Sequence, residues 1–138
     1  YSSDGARTFI FGEPSNTKLE IYDALLSGFQ AGCSQLRPGK QLKDIYWATL
    51  SAIRARGFSS YTRGHFGHGL GNGLGSEQWP FISADAETRL EPGMVMAFEC
   101  PWYIGGLGGM IIENQFLVCD TGCEMMNSLP IQLQSIEK

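Results

Sequence analysis

Apolar positions along the chain change their period several times, and each change marks an element. Arg7-Thr8-Phe9-Ile10-Phe11 is a short β-prone run that ends at the turn signal Gly12-Glu13-Pro14. Asp4 stands just ahead of it. Tyr22, Leu25, Leu26, Phe29, Cys33 and Leu36 then recur at helical spacing and form one apolar face. Thr17-x-x-Glu20 reads as a capping box for this helix, and Arg37-Pro38-Gly39 stops it. A second helix is expected from Leu42 to Arg56, with Leu42, Ile45, Tyr46, Thr49 and Ile53 on one face and Gly57 ending it.

Beyond Gly57 the period shortens. Residues 77–82 lead into a polar loop over 83–89, and Glu91-Pro92-Gly93 makes a turn. Met94-Val95-Met96-Ala97-Phe98 is a strand, followed by Glu99-Cys100-Pro101. Gly105-Gly106-Leu107-Gly108-Gly109 is a hairpin-type connection to a strand over 110–118, which Asp120-Thr121-Gly122 turns. The order β, α, α, then several β predicts an α+β domain whose late strands form an antiparallel sheet.

Between helices and sheet lies a glycine-rich stretch, residues 63–75, which holds both histidines, His65 and His68, and six of the 18 glycines. Glycine lets backbone approach a ligand closely. No Gly-Lys-Ser/Thr follows, as a phosphate loop would require. The stretch alone leaves a ligand loop and a plain glycine-rich loop both open.

The chain of 138 residues suffices for one domain with a core. A net charge of -4 and the lack of a basic run argue against nucleic-acid binding by phosphate neutralisation. No apolar run approaches the roughly 20 residues that span a bilayer. The chain opens Tyr1-Ser2-Ser3, without Met or a signal-peptide pattern, so a processed, cloned-out or truncated start is expected. Cys33, Cys100, Cys119 and Cys123 form no Cys-x-x-Cys pair. They read as mostly buried free thiols in a reducing cytoplasm.

Glu99 closes an otherwise apolar strand and Glu113 interrupts one. A carboxylate inside a sheet is costly unless paired or bound to metal. Each alone reads better as a solvent-facing strand residue. Together with Asp4 and His68 they make a mixed nitrogen and oxygen set suited to Mn, Fe, Co or Zn.

Five segments come in a telling order: residues 1–9 (Tyr-Ser-Ser-Asp-Gly-Ala-Arg-Thr-Phe), Gly67-His68-Gly69-Leu70-Gly71, Glu91-Pro92-Gly93-Met94, Phe98-Glu99-Cys100-Pro101 and Gly109-Met110-Ile111-Ile112-Glu113-Asn114. This order resembles the pita-bread metallopeptidases, the family of Xaa-Pro dipeptidase (prolidase), aminopeptidase P and methionine aminopeptidase. The short segments between the motifs resemble prolidase more than aminopeptidase P. The resemblance implies two helices packed on a curved antiparallel sheet. It identifies residues 1–138 as the C-terminal portion of a single catalytic domain whose N-terminal part is absent. It also implies a dinuclear site: Asp4 and Glu113 bridge two divalent ions, while His68 and Glu99 serve one ion only. In such sites the two cations activate a bridging water as the nucleophile and polarise the scissile carbonyl.

The sequence departs from that family at three places. The family's first metal aspartate lies upstream of Asp4, so one metal site is expected to be impaired in this chain and its activity weak or absent. The family's His-Glu-x-Pro segment becomes Gly75-Ser76-Glu77-Gln78-Trp79-Pro80, without the substrate histidine. The histidine often found four before the metal ligand is Gly64, with His65 shifted by one and left as a candidate substrate contact. The usual Glu-Pro-Gly and Arg-Ile-Glu-Asp become Glu99-Cys100-Pro101 and Ile111-Ile112-Glu113-Asn114.

The resemblance therefore implies a metal-dependent hydrolase acting on a small peptide or amide. One alternative is a non-peptidase of the same fold, resembling the dimethylsulfoniopropionate lyases or creatinase, with Trp79, Trp102 and Tyr103 lining a pocket for an organic cation. Another is a non-catalytic peptide- or histone-binding module. Exposed core surface is expected to favour a homo-oligomer or association with the absent half.

Overall fold

A computed structural model describes residues 1–73, 75 and 77–137 of the chain. Leu74 and Ser76, which belong to the glycine-rich stretch and the altered His-Glu-x-Pro segment, lie outside the described residues, as does Lys138. The elements run β1 (Phe9–Phe11), α1 (Asn16–Cys33), α2 (Leu42–Ala55), β2 (His65–Gly69), β3 (Gln78–Ser83), β4 (Val95–Ile104), β5 (Gly108–Val118), β6 (Cys123–Met125) and β7 (Gln134–Ile136).

Helix α1 begins earlier than its sequence signals suggest. Ser15 is the N-cap, and its hydroxyl accepts from the Lys18 N–H at 3.4 Å. Thr17 and Glu20 lie inside the helix, so the expected capping box is not the cap. The helix also ends at Cys33, and Leu36 enters the core from the following loop. Helix α2 starts where expected, with Asp44 accepting from the Gln41 N–H at 3.3 Å, and stops ahead of Gly57 at φ +98.

Strands β2 to β6 form one antiparallel sheet in the order β3-β2-β4-β5-β6. The helices cover one face. Phe29 of α1 stacks on Phe98 of β4 at 5.1 Å between ring centroids, and Phe116 of β5 joins them. Gly32 lets α1 come this close: a Cβ there would overlap the Phe98 ring and the Thr49 hydroxyl of α2. Strand β1 joins no part of this sheet. It pairs in parallel with β7, a strand without a clear sequence signal.

Strand β4 runs on through Pro101, where the sequence suggests a stop. Pro101 pairs with Ile111, whose N–H and C=O both meet the Thr8 hydroxyl on the far side, at 2.8 and 3.0 Å. The backbone groups of Pro101 therefore point away from β5. Strand β2 pairs only with Met96–Phe98, so no ladder bond is lost at the proline nitrogen. The four cysteines are free; Cys100 is buried, and Cys33, Cys119 and Cys123 are half-buried. Among the described residues no helix is long and apolar enough to cross a membrane.

The N-terminal segment runs beside β5 past the end of β6. Ala6 and Glu113 exchange backbone hydrogen bonds at 3.3 and 3.1 Å. Arg7 locks this pairing. Its Nε donates to Pro130 O, its Nη1 to Ala6 O and Glu113 O, and its Nη2 to Asn114 Oδ1 and Leu129 O, all within 2.6–2.8 Å. Each of its five N–H donors is thereby engaged. Arg7→Met is expected to lower stability by about 2–3 kcal/mol, because several carbonyls lose a charged donor at once. Urea denaturation checks this, and a change below about 0.5 kcal/mol would refute the clamp.

Candidate metal centre

On the face opposite the helices, strand alternation collects polar groups. Phe98, Ile112 and Phe116 point into the core, so Ala97, Glu99, Glu113 and Gln115 point the other way. Glu99 and Glu113 are register partners across β4 and β5. Glu113 gives its backbone groups to Ala6, so this is a non-hydrogen-bonded pair with respect to β4, the closer kind. The same N-terminal pairing brings Asp4 beside Gln115, and Ser3 Oγ donates to Gln115 Oε1 at 3.1 Å.

Strand β2 supplies the histidines through a bulge. Phe66 is fully buried against Tyr46 and Tyr61, on the core face. Simple alternation would send His68 to that face as well. Gly67, at φ +136, breaks the alternation, and the register to β3 shifts between His65 and His68. His68 therefore pairs with Ala97 and turns its ring toward Asp4. Its Nδ1 donates to Gly69 O at 3.0 Å, which leaves the Nε2 lone pair free, 3.6 Å from Asp4 Oδ2.

Asp4, His68 and Glu113 each offer a ligand atom, and these atoms lie within 4.8 Å of one another. Two carboxylates and one imidazole with its second nitrogen tied to a carbonyl fit a borderline divalent ion. Glu99 adjoins Glu113, but its carboxylate contacts Arg63 Nη2 and His65 Nδ1, each at 3.6 Å, and lies outside that trio. Cys119 and Cys123 take no part in it.

Burial first, and then the charges of Asp4, Glu99 and Glu77, together push the Glu113 carboxyl up to about 7, against the pull of Arg7. Burial likewise raises Glu99, with Arg63, His65 and His68 opposing. The sense of the linkage follows. Without metal, the folded state binds more protons than the unfolded chain between pH 4.5, the ordinary glutamate value, and about 7. The Glu113 contribution is fully present below pH 4.5 and lost as pH rises through about 7. The metal-free protein is thus expected to melt at a higher temperature at pH 5 than at pH 8, with a smaller difference in Glu113→Gln. Divalent-ion affinity moves the opposite way, because the ion competes with that proton. An unchanged pH slope in Glu113→Gln would refute the assignment.

His65 sits between two carboxylates, 3.6 Å from Glu99 Oε1 and 3.9 Å from Glu77 Oε2. Its Nδ1 also accepts from the Gly67 N–H at 3.3 Å. It lines the polar face beside Phe81, with ring centroids 5.3 Å apart. The expected aromatic pocket is not assembled. Trp102 packs edge-on against Phe58 and Tyr61. Trp79 is exposed and lines a surface groove with Gly69 and Met96. From Met96 to Trp102 the strand covers roughly 20 Å, which separates the aromatics. Tyr103 is exposed and lies against Gly109.

Sequence reasoning missed Arg63 and Glu77 as neighbours of the site, and Arg7 as its clamp. Arg7 lies inside the first of the five motifs, three residues after Asp4, which is the one signal for it. Arg63 opens the histidine stretch without a spacing signal of its own, and Glu77 lies in the altered His-Glu-x-Pro segment, which is the one signal for it.

Comparison with known proteins agrees with the fold. The chain is 36% identical over 126 residues to an uncharacterized peptidase of Staphylococcus aureus strain USA300, covering 91% of this chain and 35% of that protein. It thus spans about a third of the length of the curated relatives it matches. A dipeptidase from Mycobacterium ulcerans superposes with a TM-score of 0.91 at 29% identity, over 99% of this chain and 36% of that one. An Xaa-Pro dipeptidase from Bacillus anthracis superposes with a TM-score of 0.88 at 32% identity, over 97% of this chain and 37% of that one. Two helices on a five-stranded antiparallel sheet thus form part of a pita-bread fold. The model of metallopeptidase family M24 matches residues 1–120, and the chain belongs to that family.

Proposed function

We propose that the protein is a metal-dependent dipeptidase of the Xaa-Pro type, cleaving a short peptide at an amide bond held against the polar face of the sheet. The observation that carries this reading is the convergence of Asp4, His68 and Glu113 on one point. Divalent ions held there supply Lewis-acid polarisation and a water reactive at neutral pH. In this reading Asp4 and Glu113 would hold both ions, while His68 and Glu99 would serve one ion only. Glu99 adjoins Glu113 in register, and its carboxylate contacts Arg63 and His65 at 3.6 Å. Gly69 fixes the His68 tautomer through its carbonyl, and the Gly67 bulge sets the ring's direction. His65 is a candidate substrate contact, since its ring lies between the carboxylates of Glu99 and Glu77.

The test loads the full-length protein with Mn²⁺, Co²⁺ or Zn²⁺, measures stoichiometry by calorimetry, and follows hydrolysis of Xaa-Pro dipeptides. Two ions bound with metal-dependent cleavage support the reading. Metal-loaded protein that cleaves no dipeptide sinks it.

Self-association is part of the same proposal. Phe9, Phe11 and Leu129 are each more than half exposed, and Phe9 lines one groove with Phe11 and another with Leu129, an apolar surface suited to another copy. Light scattering at the mass of one chain would overturn that part.

A further inference from the structure

The loop over residues 71–73 is fastened to the N-terminal segment on both sides of one asparagine. The Ser2 N–H donates to Gly71 O at 2.9 Å, and the Ser2 hydroxyl donates to Gly73 O at 3.1 Å. Asn72 lies between the two carbonyls, and Ser2 stands two residues ahead of Asp4. The loop therefore holds the start of the segment that delivers Asp4 to Glu113, and Asn72 is the middle of that hold.

Asn72 differs from the other asparagines in its neighbour and in its freedom. It alone precedes a glycine; Asn16, Asn114 and Asn127 precede Thr17, Gln115 and Ser128. Asn114 is fully buried between Arg7 Nη2 and Met125 Sδ, and Asn127 Oδ1 accepts from the Gln115 N–H at 2.6 Å. Asn16 opens α1. Asn72 is exposed and lines a surface groove with Gly71, Gln78 and Trp79. The side-chain bonds of the loop run from Ser2 to Gly73 O and from Gln78 to Gly75 O, and among the described residues none engages Asn72.

The glycine that follows permits a covalent step. With no Cβ on Gly73, its backbone nitrogen can reach the side-chain carbonyl carbon of Asn72 with little steric opposition. That nitrogen bonds to Asn72 Cγ and gives up its proton, and the side-chain amide leaves as ammonia. Water then opens the five-membered succinimide at either carbonyl. Opening at the side-chain carbonyl leaves aspartate. Opening at the main-chain carbonyl leaves isoaspartate, whose chain runs through Cβ and Cγ. Amide and water become acid and ammonia, so no other reactant is needed.

We propose that Asn72 is a site of spontaneous deamidation, and that its isoaspartate product unfastens the N-terminal segment from the loop and weakens divalent-ion binding through Asp4. The extra main-chain carbon adds about 1.5 Å between the carbonyls of Gly71 and Gly73. Ser2 then keeps one carbonyl and loses the other, since hydrogen bonds fade beyond roughly 3.2 Å. The aspartate product keeps the native chain length and both Ser2 bonds. The consequence for the ion rests on the metal centre described above; the modification itself does not.

The experiment holds the full-length protein in mildly alkaline buffer at physiological temperature. Residue 72 is followed by peptide mass mapping and by isoaspartyl methyltransferase labelling. Isoaspartate is expected to accumulate there ahead of every other asparagine. In the converted protein the Ser2 amide exchanges its hydrogen faster, and Mn²⁺ affinity by calorimetry falls on the order of 10-fold, as when a support behind a metal ligand is lost. Asn72→Gln should keep its affinity through the same treatment, because its longer side chain does not close a five-membered ring. Gly73→Ala, whose Cβ would press on the flexible Gln78 side chain, should slow the conversion and serves as the second variant. Asn72→Asp should keep both Ser2 exchange and Mn²⁺ affinity. No isoaspartate at residue 72 overturns the proposal. So does converted protein with unchanged Ser2 exchange and affinity, or an equal loss in Asn72→Asp, which would make charge the cause. Fresh protein that binds no Mn²⁺ overturns the metal reading instead, and the mapping of residue 72 with Ser2 exchange still decides the modification.

Discussion

Glu113→Gln, and separately Asp4→Asn, should each lower divalent-ion affinity on the order of 10²-fold or more and, under the proposed peptidase function, sharply reduce hydrolysis by the full-length protein. The geometry explains why either change suffices. The ligand atoms of Asp4, His68 and Glu113 lie within 4.8 Å of one another, so each substitution removes a third of the donor set and one negative charge. An amide oxygen keeps the shape but not the charge, and a neutral donor is a poor match for a hard or borderline dication. The metal-free folds should behave differently. Glu113 is almost wholly buried beside two other carboxylates, so its neutral amide form relieves repulsion and should hold or raise the melting temperature above pH 7. A Glu113→Gln protein that is both metal-competent and unchanged in activity would remove this residue from the site. Calorimetric titration with Mn²⁺ and thermal denaturation at pH 8 read the two effects independently.

Gly67→Ala should cost about 3 kcal/mol or more of stability and uncouple His68 from Asp4. Two effects act at one residue. Its φ of +136 lies where an L side chain is strained, at a cost of about 1–3 kcal/mol. A Cβ there would also overlap the carbonyl of Ala97 on β4, which is backbone and cannot step aside. Relief requires β2 to lose its bulge or to leave β4. Either movement carries His68 away, because that residue pairs with the same Ala97. Gly71 gives the contrast, since a Cβ there meets nothing within 4 Å. Gly71→Ala is therefore expected to stay within about 0.5 kcal/mol of the wild type in chemical denaturation. Equal stability of the two variants would dismiss the bulge as the device that aims His68.

Much of the scaffold is legible in the linear pattern. The two apolar helix faces, the hairpin glycines between β4 and β5, and the acidic residues set into apolar strands all follow from local periodicity. The misplaced boundaries have local causes too. Ser15 takes the place of Thr17 as the cap, so the helix begins two residues sooner, and Pro101 continues a strand because its missing N–H faces away from β5. Strand β7 is three residues long and exists through its parallel partner β1, so no periodicity announces it. The aromatic pocket failed for a related reason: Trp79, Trp102 and Tyr103 share a residue class but not a neighbourhood.

By itself the sequence determined the residue types of the candidate centre, the order of its motifs and the α+β class, because these depend on composition and on contacts a few residues apart. Tertiary structure decided which of those residues meet. The Ala6–Glu113 pairing spans more than a hundred positions and is what brings Asp4 to Glu113. The Gly67 bulge reverses a side-chain alternation that the sequence would otherwise imply, sending His68 to the polar face while Phe66 stays in the core. The register of β4 against β5 puts Glu99 beside Glu113, yet the approach of Arg63 and His65 holds its carboxylate apart from the trio. Long-range pairing, backbone sign and competing ion pairs are properties of the folded chain, and the site depends on all three.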